Sequence, residues 1–557
     1  MSIPGTTVYV AKKVITMDPG RPEGTAVAVR DGRILGVGGL GELQTWGACE
    51  LNDEFKDDIL IPGFVEAHSH VSEGAVWGYP YVGYFDRTGP DGRRVSGCRN
   101  LEAVIARLKQ ANVEMTDPGA TMFAWGLDPI YFPGTRMTAT HLDDVSVSRP
   151  VFVFHANAHL ATVNRALMTR EGITRGTDVA GVMKGADGEP VGELQELPAM
   201  MLARDAILTL LRATESPQTI WNMAACAPNA GVTTYTYLGS TQLYRRDVVE
   251  RWQAVVNHPH YPARASVAYG PLMGGPSDPE EVARHVASLA DLNSDKLHFG
   301  QVKLVLDGSI QGFTARLGWP GYHTGSDHSQ GLIEPDRLAE LVLAYHRAGL
   351  TVHAHCNGYD ASEAFIRAVE RALREHPRWD HRHTVQHSQM TTAHQYRRMA
   401  SLGMCANIFS NHIYYWGDQH YSITLGPDRA SRMDACATAR REDVPFAIHS
   451  DAPVTPLGGL HLMWCAVNRL TASERVLGEH ERISVYDPLR AVTLDAAYTL
   501  RMDDEIGSIE CGKHADFAKL QVDPFQVATT DLRDIPVLGT VVAGVPSRVG
   551  EPVQAKT

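Results

Sequence analysis

Residues 59–70, ILIPGFVEAHSH, carry an apolar run into a pair of histidines, and the reading of this junction decides the fold. Residues two apart on a strand point to the same side, so His68 and His70 can hold one metal ion together at the end of a buried strand. A second junction of the same kind lies far downstream, where VPFAI runs into His449, Ser450 and Asp451. Between the two, apolar strand candidates alternate with helix-like stretches, the pattern of repeated βα units. Eight segments qualify: LIPGFVEAH (60–68), GVTTYTYLG (231–239), ARASVAYG (263–270), FGQVKLVLDG (299–308), LTVHAHCNG (350–358), RHTVQHSQ (382–389), GMCANIFSN (403–411) and VPFAIHSD (444–451). Eight such strands predict an α/β fold, a (β/α)8 barrel of the TIM type. Such barrels place their chemistry at the C-terminal strand ends, where His68, His70, His355, His387 and Asp451 all fall.

Both ends of the chain have a different texture. TVYVAKKVITMD (7–18) and TAVAVRDGRILGVGG (25–39) alternate apolar and polar positions around turn signals, and ADFAKLQVD (515–523) and VLGTVVAGVPSRV (537–549) repeat the style. The expectation is a small β-sandwich domain built from residues 1–60 and 501–557, flanking a barrel over 61–500. Far more chain than a βα connection needs separates the first two strands, so residues 72–222 are expected to form an inserted subdomain over the catalytic face. The insertion is rich in rings, among them Trp77, Tyr79, Tyr81, Tyr84, Phe85, Trp125, Tyr131 and Phe132. Those rings serve either the insertion's own core or a pocket for a bulky, partly aromatic substrate.

Composition removes several classes of function. The formal charge of -13 comes from acidic and basic residues mixed along the chain, with no basic block to follow a phosphate backbone. Nucleic acid is excluded as a partner on this reading. No apolar stretch reaches the length of about 18 residues that a membrane span needs, and MSIPGTTVYVAKKVITMD has no signal-peptide apolar region, so a soluble, cytoplasmic protein is expected, acting on a small molecule. The eight cysteines include no CxxC pair, which fits reduced thiols.

In order along the chain, PGFVEAHSH (62–70), VKLVLDGS (302–309), HCNGYDA (355–361), TVQHSQ (384–389), HSDAPV (449–454) and GSIECGKHADF (507–517) resemble the landmarks of the amidohydrolase superfamily, in particular its YtcJ-like (amidohydrolase 3) branch. The likeness covers nearly the whole chain. It implies a metal-dependent hydrolase fold with activity on amide or related C–N bonds. Residue by residue, it implies that His68 and His70 bind a more buried metal, that His355 and His387 bind a more exposed one, and that Asp451 completes the set. Neutral imidazole and carboxylate suit a borderline divalent cation, zinc foremost. His353 shares a face with His355 but matches no family position, and is expected behind the ligands or in the core.

Lys303 lies inside an apolar strand, where burial lowers the pKa of an ammonium group. A neutral lysine takes up carbon dioxide, and binuclear members of the superfamily use a carboxylated lysine on the fourth strand to bridge two ions. The rival reading pairs Lys303 with Asp307. Glu196, in VGELQELP, resembles a family glutamate that bridges metals or touches substrate; an ordinary surface glutamate is the competing expectation. His159, in HANAHLATVN, and His412, in SNHIYYWGD, are candidate donors to a tetrahedral oxyanion. His449 stands where relatives often carry glycine and is expected to line the pocket.

The mechanism expected from these parts is attack by metal-generated hydroxide on an N-substituted amide or formamide, with Asp451 first as general base and then as general acid. Ester, lactone or carbamate hydrolysis, or ring deamination, is the rival chemistry on the same fold. A regulatory or binding protein that has lost catalysis is the rival class. One or two ions and a homodimer, the commonest state of such barrels, complete the expectations.

Overall fold

The computed structural model describes residues 2–271, 277–325, 329 and 331–550. Eight parallel strands form its centre: β1 (Phe64–Ser69), β2 (Val232–Ser240), β3 (Arg264–Tyr269), β4 (Gln301–Val305), β5 (Thr351–Cys356), β6 (Thr384–His387), β7 (Cys405–Ile408) and β8 (Phe446–Ile448). They pair in chain order from β1 to β8. Every residue of β1, β3, β5, β6, β7 and β8 is buried, because helices cover one face and interior side chains fill the other. That double burial is why these strands read as apolar runs, and all eight sequence segments overlap one.

Closure comes from backbone just beyond the last strand. Ser69 bridges Ala452 in parallel. The His70 N–H donates to the Ala452 carbonyl at 2.8 Å, and the Asp451 N–H donates to the His68 carbonyl at 3.1 Å. Asp451 is thereby set beside His68 by main-chain bonds.

The first segment divides at Gly63. Leu60–Pro62 ends a long strand of the terminal sheet, Ala48–Pro62, whereas β1 begins at Phe64. A Cβ on Gly63 would lie 2.0 Å from the Thr233 side chain, so only glycine lets the chain pass this close to β2. The terminal sheet has seven strands in one hydrogen-bonded path. Ser2–Ile15, Glu23–Arg30, Arg33–Gly38 and Ala48–Pro62 come from the N-terminal side, and Phe517–Leu520, Val537–Val542 and Val545–Arg548 from the C-terminal side. The two sides meet where Phe517–Leu520 pairs antiparallel with Ile59–Pro62. A buried ion pair fastens this sheet to the barrel: Arg264 of β3 holds both oxygens of Asp516, at 2.6 and 3.0 Å.

Between β1 and β2 the chain builds a five-stranded sheet, Met122–Leu127, Val151–His155, Leu160–Val163, Val182–Lys184 and Pro190–Gln195. Its two faces have separate cores, one around Val104, Leu108, Val151 and Val153, the other around Phe152, Leu167, Leu194 and Ile207. Trp77, Tyr81 and Trp125 pack on one another within the insertion. Phe85 reaches the barrel instead, its ring 4.9 Å from that of Tyr415, and Tyr131 donates its hydroxyl to the Tyr415 carbonyl at 2.7 Å. The rings therefore divide between an internal core and a seam with the barrel. Among the described residues no helix is long and apolar enough to cross a membrane.

Candidate metal centre

His68 and His70 leave the end of β1 on the same side, as their spacing requires. Nε2 of His68 lies 3.4 Å and Nε2 of His70 3.1 Å from Oδ1 of Asp451, while Nδ1 of His387, ending β6, lies 4.0 Å from Oδ2. The His68 and His387 rings are 4.7 Å apart, and His449 stacks on His68 at 4.5 Å. Ligand atoms of His68, His70 and Asp451 fall within 4.8 Å of one another, and so do those of His68, His387 and His449. Lys303, inside β4, points its Nζ to within 3.0 Å of His68 Nε2. His355, on β5, packs its ring 4.2 Å from His387 but turns Nε2 toward the Gly308 carbonyl, 3.2 Å away, and the Asn357 amide. It is the expected ligand whose nitrogen is engaged elsewhere.

The backbone at these positions is unusual. His387, Ser388, Asp451 and Glu196 all have φ between 52° and 65°, a region non-glycine residues adopt at a cost and that clusters at functional sites.

Burial sets the charge states. It drives the imidazoles of His68, His355, His387 and His449 well below their ordinary pKa, and their mutual proximity and that of Lys303 push the same way. Neutral imidazole is the form that binds a metal. Burial also lowers Lys303 to about 7, against the pull of Asp451. For Asp451 burial works upward, but the hydrogen bond from His70, with His449 and Lys303 close by, overcomes it and holds the carboxyl below the usual carboxylate range. The result is a carboxylate among neutral imidazoles. Both ring nitrogens of His387 and of His449 are buried without a hydrogen-bond partner. Orphaned buried nitrogens are costly, and a divalent cation among them satisfies several at once, so this donor set fits the metal that the sequence implies.

Behind the ligands lies a relay absent from the sequence reading. Nδ1 of His68 meets Oε1 of Gln386 at 2.8 Å, which also accepts from Asn407 Nδ2 at 3.0 Å, and Gln386 Nε2 donates to His353 Nδ1 at 2.7 Å. With its proton committed to Gln386, His68 presents the Nε2 lone pair to the site. Partners of this type fix tautomer and ring orientation in metal sites. His353 thus stands one hydrogen bond behind the cluster. Glu66, two residues before His68, accepts from Ser450 Oγ at 2.6 Å, and burial pushes its pKa up to about 8.

Asp307 does not pair with Lys303. Its carboxyl takes backbone N–H bonds from Arg316, Asn357 and Gly358 at 2.8–3.0 Å and shapes the loops after β4 and β5. Glu196 is buried rather than on the surface, because its Oε2 lies 2.8 Å from His159 Nδ1. Burial works against protonation of His159, but Glu196 outweighs it and raises the pKa. The His159 ring lies 5.1 Å from that of His355. His412 is buried in the first turn of the helix after β7, with Nδ1 3.2 Å from Asp434 and its ring 4.2 Å from Phe409, which stacks on His449. A cavity of about 380 Å³ opens between the insertion and the loop after β4, with Ile130, Phe132 and Phe313 in its wall beside the polar Asp128, Arg136 and Asn157.

The family model described as amidohydrolase family matches residues 56–547. Among curated relatives, an N-substituted formamide deformylase from Arthrobacter pascens is 24% identical over 97% of this chain and 97% of its own length. A putative amidohydrolase YtcJ from Bacillus subtilis is 24% identical over 93% and 95%, and the protein LONG AFTER FAR-RED 3 from Arabidopsis thaliana 25% over 95% and 89%. An uncharacterized metal-dependent hydrolase from Pyrococcus horikoshii superposes with a TM-score of 0.71 at 17% identity, over 94% of this chain and 99% of that one, a likeness of fold. The match over nearly the whole chain, on a barrel whose strand ends gather imidazoles and a carboxylate, makes this protein a member of the amidohydrolase family, in its YtcJ-like branch.

Proposed function

We propose that this protein hydrolyses the C–N bond of an N-substituted amide or formamide with a bulky side group. The observation that carries the reading is the convergence of His68, His70, His387 and Asp451 at the barrel's C-terminal strand ends. Imidazoles and a carboxylate favour zinc. A cation held there supplies Lewis acidity, polarising a carbonyl and acidifying water.

The chain's own residues divide the remaining work. Asp451, ionised and beside His68 and His70, accepts a proton from the attacking water and returns it to the departing nitrogen. His159, protonated against Glu196, and His412, anchored on Asp434, donate to the oxyanion. Lys303, a neutral amine once deprotonated near pH 7, adds its nitrogen to carbon dioxide, releases a proton and becomes an anionic carbamate facing His68. The cavity between the insertion and the loop after β4 takes the substrate's bulky group. The formamide deformylase among the relatives supports the choice of leaving group and acyl group.

The test is a panel of N-aryl and N-alkyl formamides, N-acyl amides and esters, offered to protein whose metal content has been measured. Formate with a free amine is expected. Ammonia from a ring substrate would replace this reading with deamination, an alcohol with ester hydrolysis, and metal-free protein without activity with a non-catalytic role.

A further inference from the structure

A second cavity, of about 610 Å³, lies on the same end of the barrel but outside the metal cluster, walled by segments that follow β4 to β8. Its lining is cationic. Arg429, Arg432 and Arg441 face it together with His394 and His480. The one carboxylate in the wall, Glu481, has both oxygens committed, to the Thr438 N–H and hydroxyl. None of the three guanidinium groups is fully used. Arg429 gives Nε and Nη1 to the carbonyls of Leu425 and Gly321, Arg432 gives Nη2 to Asp428 in an exposed pair, and Arg441 gives Nη2 to the Thr438 hydroxyl. Burial, and then the nearby charge of Arg432, lowers the pKa of Arg429, so these cations stand close enough to repel. Repulsion of that kind is relieved by a bound anion.

Two further features narrow the ligand. The helix Ala393–Leu402 begins in the wall, capped reciprocally by Thr392 and Gln395. Its geometry leaves the N–H groups of Ala393 and His394 without an internal acceptor, and both residues line the cavity. At the rim, Trp319 is 96% exposed and Tyr359 37% exposed, although both border the cavity. An indole left bare beside guanidinium groups is poised to stack on a flat ring.

We propose that this cavity binds a phosphate ester carrying a flat ring: the phosphate among Arg429, Arg432, Arg441 and the helix N-terminus, the ring on Trp319. Guanidinium forks match phosphate oxygens, and the volume falls within the range of small-molecule sites. The cavity wall connects by hydrogen bonds to His355. Met390, in the cavity wall, donates its N–H to the Asn357 carbonyl at 3.0 Å, and Asn357 Nδ2 touches His355 Nε2.

Calorimetric titration of the metal-loaded full chain with adenosine monophosphate, adenosine and inorganic phosphate tests this. The nucleotide should bind more tightly than either fragment. Replacing Arg432 and Arg441 together with alanine should weaken it by about tenfold or more, as loss of two charge-assisted contacts requires. Trp319→Ala should weaken the nucleotide and leave inorganic phosphate unchanged. All three side chains are exposed, and unchanged circular dichroism and metal content would confirm that the variants fold. No heat with the nucleotide, equal affinity in the double variant (which would place the phosphate on the metal cluster), or an unaffected Trp319→Ala would each overturn the proposal.

Discussion

Gln386 offers the sharpest test of how this site is held. Replacing it with leucine keeps the volume roughly constant and strands three buried groups at once: the His68 Nδ1–H, the Asn407 amide and His353 Nδ1. Each stranded group costs roughly 1–3 kcal/mol, so the unfolding free energy should drop by about 3 kcal/mol or more. The functional cost is separate. Without Gln386 the His68 ring can rotate or change tautomer, and losses of about 10- to 100-fold in metal affinity accompany removal of such partners, which is about 1.4–2.7 kcal/mol of binding. Gln386→Glu is the control. It keeps acceptors for His68 and Asn407 and lets His353 switch tautomer to donate, so its metal affinity should stay within a few-fold of the parent. Competition with a chromophoric chelator measures the affinity, and urea unfolding measures the stability. A folded leucine variant that binds metal as tightly as the parent would refute the relay.

Asp451→Asn should keep most of its metal, since the amide oxygen remains, while turnover falls by about two to four orders of magnitude with loss of the proton carrier; metal analysis beside steady-state rates checks both halves. Lys303→Ala should lose metal and regain it in part with added short carboxylic acids, followed by metal content during titration with acetate. Asp516→Ala leaves the Arg264 guanidinium buried and unpaired, at a cost of about 3–5 kcal/mol, visible as a lower urea midpoint with the barrel's metal content unchanged in the folded fraction. The last concerns acid. His346, His381 and His383 form a buried neutral chain below the barrel, with His346 Nδ1 2.9 Å from His383 Nε2 and the His383 N–H donating to His381 Nδ1 at 3.0 Å. Burial lowers all three, His381 to about 4. The unfolded chain therefore binds protons first as pH falls below about 6.5, and stability declines from there to about pH 4, by up to roughly 3 kcal/mol for His381. Urea midpoints at pH 7 and pH 5 should separate, and His381→Gln should narrow the gap.

The eight barrel strands were legible because strands buried on both faces need apolar side chains throughout, which leaves a local trace in the chain. The ligands were legible for a related reason: at His68, His387 and Asp451 a polar residue interrupts that trace where a strand ends. What escaped depends on partners far apart in sequence. Gln386 reads as one more polar residue in TVQHSQ until β6 is placed beside β5 and β7. Glu196 stays divided between a family position and a surface glutamate until the insertion folds back and sets it against His159. Asp307 was weighed as a partner for Lys303 because the two are close in sequence, yet β4 directs the lysine inward to His68 while the loop beyond it gives the aspartate to backbone N–H groups. The aromatic insertion gave composition without pairing, and its five-stranded sheet had no local signature strong enough to register.

The seam between β1 and the backbone after β8 has a consequence for how competence arises. Since Asp451 reaches His68 through bonds that join the first and last staves, an incompletely wound chain holds fragments of the cluster but never the whole. Loading with cation therefore reports completion of the barrel, and a cation bound there acts as a clasp, resisting any opening that begins at that joint.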